Sequence, residues 1–162
     1  MKNIIRFSFA ATALVLAGSA FSANQIHLTT ESAKGGTMLA MDVVGDGNAS
    51  GFQFTVKVPG LVASDKAAGA GCVAQLPKSY LSSCKIVDGE VRVAALDSTS
   101  KALPTTLMSV GTVFLRGVRL DAGKAGNQVS LANVEFADGQ GNALPFEGNV
   151  DAAKAKAEAA VH

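Results

Sequence analysis

Residues 52–58 read Phe-Gln-Phe-Thr-Val-Lys-Val, a strict alternation of apolar and polar side chains. Successive side chains of a β-strand point to opposite faces, so the apolar residues of this stretch would share one face and the polar residues the other. The apolar face would line a core, while Gln53, Thr55 and Lys57 would face outward. The stretch therefore predicts a half-buried β-strand.

Weaker alternation recurs along the chain, in runs bounded mostly by Gly, Pro, Asn or Asp. Asp88-Gly89 is a two-residue hairpin signal, and the Asp-Gly-Gln-Gly-Asn of residues 138–142 marks another turn. The further predicted strands are residues 25–30, 37–44, 85–87, 91–96, 110–115, 129–136 and 143–146. Many short strands with regular turns predict an all-β protein, a jelly-roll β-sandwich of about eight to nine strands.

The first residues have the pattern of a secretory signal peptide. Lys2 and Arg6 precede an apolar run over residues 7–17, and small residues follow at 18–23. The run is about eleven residues, short of the roughly 20 that a helix needs to cross a bilayer. We expect a signal peptide over residues 1–22, a single domain over 23–149 that is periplasmic or secreted, and no membrane insertion after cleavage.

Charge and the last segment add two further expectations. Of the 14 Lys and Arg residues, two would leave with the signal peptide, which leaves 12 against 13 Asp and Glu. Nucleic-acid binding needs a basic patch, so no nucleic-acid partner is predicted. Residues 150–162 are rich in Ala and Lys with few large apolar side chains, and they predict a short tail that is a frayed helix or disordered.

The chain has two cysteines, Cys72 and Cys84. Exported proteins meet an oxidising compartment, where paired thiols form disulfides. Eleven residues separate the pair and no other Cys or His lies nearby in the sequence, which fits neither a zinc site nor a redox motif. We therefore predict a Cys72–Cys84 disulfide.

Motifs for catalysis are not evident in the sequence. Beyond the signal peptide the histidines are His27, within an alternating strand, and the terminal His162, and no phosphate-binding or zinc-protease motif occurs. The chain is therefore predicted not to be an enzyme.

Calcium is an alternative interpretation of two turns that are rich in Asp and Asn, residues 42–48 and 138–142. Neither reproduces an EF-hand loop, and plain turns require the same residues. Turns are favoured over a calcium site, and no cofactor is predicted.

Three segments resemble the cohesin family, in the family's order: SGFQFTVKVP at 50–59, DGEVRVAALDS at 88–98 and LANVEFADGQGN at 131–142. The resemblance covers roughly residues 26–146. It implies a nine-stranded jelly-roll sandwich, shared with cellulose-binding modules, that recognises a dockerin module through one sheet face.

Matched residue by residue, the resemblance implies a ligand-binding face with Gln53 and Thr55 on one strand and Arg92 and Ala94 on another. The functional hypothesis is an exported, non-catalytic module that binds a protein partner, either dockerin-like or another exported protein. The alternative is a carbohydrate-binding module for a polysaccharide. Stacking on a sugar needs exposed aromatic rings, and the chain has no Trp and one Tyr.

Overall fold

The computed structural model describes residues 23–61, 72–120 and 129–149. The predicted signal peptide and the predicted tail lie outside these residues. Nine strands are present in the described part: β1 (Asn24–Ala33), β2 (Gly36–Val44), β3 (Ala49–Lys57), β4 (Tyr80–Val87), β5 (Glu90–Asp97), β6 (Met108–Arg116), β7 (Ser130–Asp138), β8 (Ala143–Leu144) and β9 (Phe146–Asn149).

The strands form two sheets. One has four strands in the order β6-β2-β1-β9, and the other has five in the order β4-β5-β3-β7-β8. Every pairing is antiparallel except that of β1 with β9. The predicted all-β sandwich of about eight to nine strands is confirmed. Among the described residues no helix is long and apolar enough to cross a membrane.

The core lies between the sheets, and β3 supplies its centre. Phe52, Phe54, Val56 and Val58 are at most 4% exposed, so the alternation of residues 52–58 is confirmed as a strand with an apolar inner face. The other large, fully buried side chains come from both sheets and one loop: Ile26, Leu28, Leu39, Met41, Val43, Val91, Leu103, Val110, Leu115 and Phe136. Apolar burial of this kind is the dominant favourable term in folding.

The Asp88-Gly89 turn forms the predicted hairpin between β4 and β5. Both turn residues have positive φ, 52° and 77°, as the favoured two-residue hairpin turn requires. The turn places Val87 opposite Glu90 and thereby sets the register of the whole pair.

The predicted strand over residues 143–146 differs from the structure, which divides it at Pro145. Before the proline, β8 pairs with β7 in the five-stranded sheet, and after it β9 pairs with β1 in the other sheet. Proline has no N–H to give to a sheet ladder, so a strand seldom continues through it. Asn24 stabilises the passage of the chain from one sheet to the other, because its side-chain Nδ2 donates to the Pro145 carbonyl at 2.9 Å.

Carboxylates close the two Asp-rich turns. Asp46 Oδ1 accepts from the amides of Asn48 at 2.8 Å and Ala49 at 3.0 Å. Asp138 Oδ1 accepts from the amides of Gln140 at 2.8 Å and Asn142 at 2.9 Å. Hydrogen bonds of this local type are how Asp stabilises turns. Among the described residues, no three His, Cys, Asp or Glu side chains are grouped as metal ligands.

Asp97 links the end of β5 to the residue before β4. Its Oδ2 accepts from the Ser79 hydroxyl at 2.6 Å, and its Oδ1 accepts from the Thr99 hydroxyl at 2.6 Å and the Thr99 amide at 2.8 Å. These donors, first the Ser79 hydroxyl and then that of Thr99, hold the pKa of Asp97 well below its usual range. The ionised carboxylate is therefore the form that stabilises the fold.

Asp97→Asn should lower the unfolding midpoint at pH 7 by several degrees and flatten its dependence on acid pH. Because folding lowers this pKa, the stabilisation by Asp97 is complete above the unfolded carboxyl pKa of about 4 and is lost progressively as the pH falls from there through the lower pKa of the folded state. Thermal unfolding of both proteins between pH 7 and pH 2.5 measures this. The two curves should approach each other as the pH falls, and curves that stay parallel would contradict the assignment.

Candidate binding face

The outer surface of the five-stranded sheet carries all four residues that the resemblance implied for binding. Cross-strand pairing arranges the outward side chains of β4, β5, β3 and β7 in four rows. Read from β4 to β7, these rows are Leu81, Leu96, Gly51 and Ala137; Ser83, Ala94, Gln53 and Glu135; Lys85, Arg92, Thr55 and Ala132; and Val87, Glu90, Lys57 and Ser130. Together the four rows form the outer face.

The first row is apolar and open. Leu81 and Leu96 lie opposite each other across β4 and β5, and they are 68% and 48% exposed. Beside them runs a shallow groove of 480 Å³, which Ala94 and Ala137 also line. Large apolar side chains that are exposed together mark interaction surfaces more often than isolated ones do. We call this groove the leucine groove.

Gly51 allows Leu96 to lie close to the sheet. A Cβ built on Gly51 would be 2.9 Å from Leu96 Cδ1 and 3.2 Å from the Ala95 carbonyl oxygen. Any side chain at position 51 would therefore push Leu96 outward and fill the leucine groove. The absence of a side chain here shapes the groove.

The second row crosses the face as a polar ridge. Gln53 Nε2 donates to Glu135 Oε2 at 2.8 Å, and both side chains are exposed. The pair joins β3 to β7 and borders the leucine groove.

The third row places two cations side by side. Lys85 lies directly opposite Arg92, and like charges in this arrangement destabilise a sheet. Glu90 Oε2 accepts from Arg92 Nη2 at 2.9 Å and from Arg92 Nε at 3.0 Å. Within the described ranges Lys85 has no ion-pair partner. The sheet therefore holds a cation whose charge no side chain in that part of the chain balances.

A second hollow, of 220 Å³, opens at these cations. Its lining includes Lys85, Arg92, Thr55, Ser83 and Asn133. Thr55 belongs to the outer face by register but is only 4% exposed, so it forms part of the floor of the hollow. We call this the cationic hollow.

A β-bulge in β7 brings Asn133 to the cationic hollow. Gln53 pairs with Glu135 but Thr55 pairs with Ala132, so β7 has one residue more than β3 in this interval. Asn133 adopts a φ of 49°, a left-handed conformation that Asn tolerates better than most residues. Bulges often redirect a side chain at a functional site.

The binding residues predicted from the sequence lie on neighbouring strands of the outer face, but the prediction did not include the leucine groove. Gln53, Thr55, Arg92 and Ala94 lie together, with Thr55 buried and the other three exposed. Their role in binding stays a prediction.

Leu81 was missed because the strand there was predicted to begin at residue 85. The hairpin turn carried the signal that could have found it, since pairing Val87 with Glu90 brings Leu81 opposite Leu96.

Solved structures of several cohesins share this architecture. One is a non-cellulosomal cohesin from the hyperthermophilic archaeon Archaeoglobus fulgidus, with a TM-score of 0.55 and 12% identity over 87% of this chain and 100% of that one. Another is the type II cohesin A11 from Bacteroides cellulosolvens, with a TM-score of 0.54 and 14% identity over 78% of this chain and 96% of that one.

A third is a type II cohesin in a cohesin–X-dockerin complex from Acetivibrio cellulolyticus, with a TM-score of 0.52 and 11% identity over 78% of this chain and 95% of that one. Neither a family model nor a curated protein matches the chain. At such low identity the likeness concerns the fold alone. The chain has a cohesin-like β-sandwich fold, as the resemblance in its sequence implied.

Proposed function

We propose that this chain is a non-catalytic binding module that docks an exported protein on the outer face. The observation that carries the proposal is the exposed Leu81–Leu96 pair in the leucine groove. A groove of 480 Å³ with an apolar first row and a polar ridge beside it offers a partner both an apolar contact and hydrogen bonds.

Burial of the leucine groove by a partner would contribute a substantial part of the free energy of binding. Fully burying an exposed Leu side chain contributes about 1.5–3 kcal/mol, and both leucines here are partly covered already. Covering both would therefore contribute on the order of 2–3 kcal/mol, which is about 30-fold or more in affinity.

A dockerin-like module is the partner class that we favour. Two Acetivibrio cellulolyticus structures with this fold contain cohesins in complex with dockerin. The amino-terminal pattern of residues 1–22 and the Cys72–Cys84 disulfide both support export, so the partner should itself be exported or displayed outside the cytoplasm.

The partner to test is one that the wild-type domain captures from exported proteins and that mass spectrometry identifies. Leu81→Asp with Leu96→Asp should weaken binding of this partner. The matched control is Leu107→Asp, because Leu107 is 60% exposed but precedes β6 of the other sheet. Affinity should fall about 30-fold or more for the double variant and stay unchanged for the control. Equal loss in both, or loss in neither, would contradict docking on the outer face.

Gln53→Ala with Arg92→Ala tests the residues that the resemblance implied. If these two residues contribute to recognition, this variant should weaken binding of the same partner by a smaller factor than the leucine variant does. Retained circular dichroism and a retained unfolding midpoint would separate lost contact from lost fold.

Polysaccharide is the alternative ligand, and the outer face supports it less well. In the described part of the chain, none of the side chains in the four rows is aromatic, so a sugar ring has no stacking platform there. Affinity gel electrophoresis with cellulose derivatives, xylan and pectin distinguishes the two functions. Retardation by one polysaccharide that Leu81→Asp relieves would replace the protein partner with a glycan.

A further inference from the structure

We propose that the cationic hollow binds a carboxylate of the partner, so that the outer face recognises an acidic protein segment with an apolar side chain beside its acid. The inference rests on the proposed function and specifies the chemistry of its partner. It assigns the two halves of the face different tasks: the leucine groove takes the apolar side chain, and Lys85 and Arg92 take the acid.

The charges around the cationic hollow leave a positive surplus. Lys85 and Arg92 face each other across β4 and β5, and Lys57 lies in the next row. Glu90 is engaged by Arg92, and Glu135 accepts from Gln53 on the other side of the hollow. Because Glu90 already pairs with Arg92, one carboxylate from outside would balance the charge of Lys85 and relieve the repulsion between the two cations.

Uncharged groups around the hollow suit the same ligand. The hydroxyls of Ser83 and Thr55 and the side-chain amide of Asn133 supply donors beside the cations. A carboxylate accepts through both oxygens, and the guanidinium of Arg92 offers several N–H groups in one plane. The hollow thus pairs two cations with neutral donors, which is the chemistry of an anion site.

Size favours an acidic side chain over a sugar. At 220 Å³ the cationic hollow is smaller than the roughly 300–1,000 Å³ typical of sites that enclose a small-molecule ligand. It accommodates the end of one Asp or Glu side chain.

The spacing of the two halves constrains the partner. Leu81 and Lys85 are four residues apart on β4, which corresponds to about 13 Å along a strand. An extended segment would place its apolar and acidic residues about four positions apart. Two turns of helix, about seven residues and 11 Å, would return an acid to the same side as the apolar residue.

The first test uses acetate as the probe, with NMR of the ¹⁵N-labelled domain at constant ionic strength. Saturable shifts are expected at the amides of Ser83, Lys85, Arg92 and Asn133, and Lys85→Gln with Arg92→Gln should remove them. Lys34→Gln is the matched control, because Lys34 is exposed in the β1–β2 turn of the other sheet. Shifts spread evenly over all surface lysines, or no saturable shifts, would overturn the inference.

The second test selects ligands from a displayed library of random 15-residue peptides on the wild-type domain. Selected peptides should combine an acid with an apolar residue, and Lys85→Glu with Arg92→Glu should weaken them roughly tenfold or more. Peptides that require Leu81 but bind the charge-reversed variant equally well would overturn the acidic partner and leave the proposed function intact.

Two further outcomes would show that the proposed function itself fails or that the ligand is an acidic glycan. If wild type selects no peptide and no captured protein depends on Leu81 or Leu96, the proposed function fails along with the inference. Retardation by polygalacturonate that depends on Lys85, without selection of acidic peptides, would assign the hollow to an acidic glycan and overturn the protein partner.

Discussion

Reduction of the Cys72–Cys84 disulfide is expected to lower the free energy of unfolding by about 3 kcal/mol. The two Cα atoms are 6.2 Å apart, and the bond joins the turn at residues 72–75 to the middle of edge strand β4. The bond restricts the unfolded chain by closing a loop with a sequence separation of 12. Its effect should be large because β4 has only one neighbour, β5, in its sheet.

Thermal unfolding with and without reductant measures this loss, and the midpoint should fall by roughly 10 °C. Cys72→Ala with Cys84→Ala is the matched control, and it should unfold like the reduced wild type and be insensitive to reductant. Mass spectrometry of unreduced material should show a mass two hydrogens below the dithiol form. Two thiols that react with an alkylating agent in such material would refute the assignment.

Phe136→Ala is expected to lower the free energy of unfolding by about 3–5 kcal/mol, because it removes a large side chain from the core. Phe136 is completely buried, and its ring centroid lies 6.1 Å from that of Phe52 and 5.8 Å from that of Phe146. Phe146 belongs to β9 of the four-stranded sheet, so Phe136 connects the two sheets. Its removal would leave a cavity and also loosen the short strand β9.

Phe114→Ala provides the comparison, because Phe114 has the same side chain but is only half-buried on the outside of the four-stranded sheet. Denaturant unfolding should show a clearly smaller loss for Phe114→Ala than for Phe136→Ala. If both variants lost the same free energy, the connection between the sheets through Phe136 would not be a main source of stability.

The alternation of neighbouring residues was enough to predict which side chains of β3 point to the outer face. Alternation at residues 52–58 correctly separated Phe54, which is buried, from Gln53, which is exposed. The same alternation placed Thr55 with Gln53, and the register agrees, yet Thr55 is buried. Alternation indicates which face a side chain occupies, but neighbouring side chains from other strands decide whether solvent reaches it.

The strand starting at Tyr80 was harder to predict for a physical reason. Its first residues, Tyr-Leu-Ser-Ser-Cys, lack apolar alternation, and none of them is fully buried. A strand that buries few side chains has little hydrophobic pattern in its sequence by which to predict it. Leu81 therefore lies outside the predicted strand, and its pairing with Leu96 places it on the outer face.

By itself the sequence determined the class of fold, most strand positions, the β4–β5 hairpin and the pairing of its two cysteines. These follow from the two-residue period of strands, from the φ angles that Asp88 and Gly89 can adopt, and from the small number of thiols. Only the tertiary structure decided which strands are neighbours, and so which side chains share a row. The leucine groove needs β5 beside β3, and the cationic hollow needs a bulge in β7, whose residues are about 80 positions from Gln53. Contacts at such separation depend on how whole sheets pack, which no local pattern encodes.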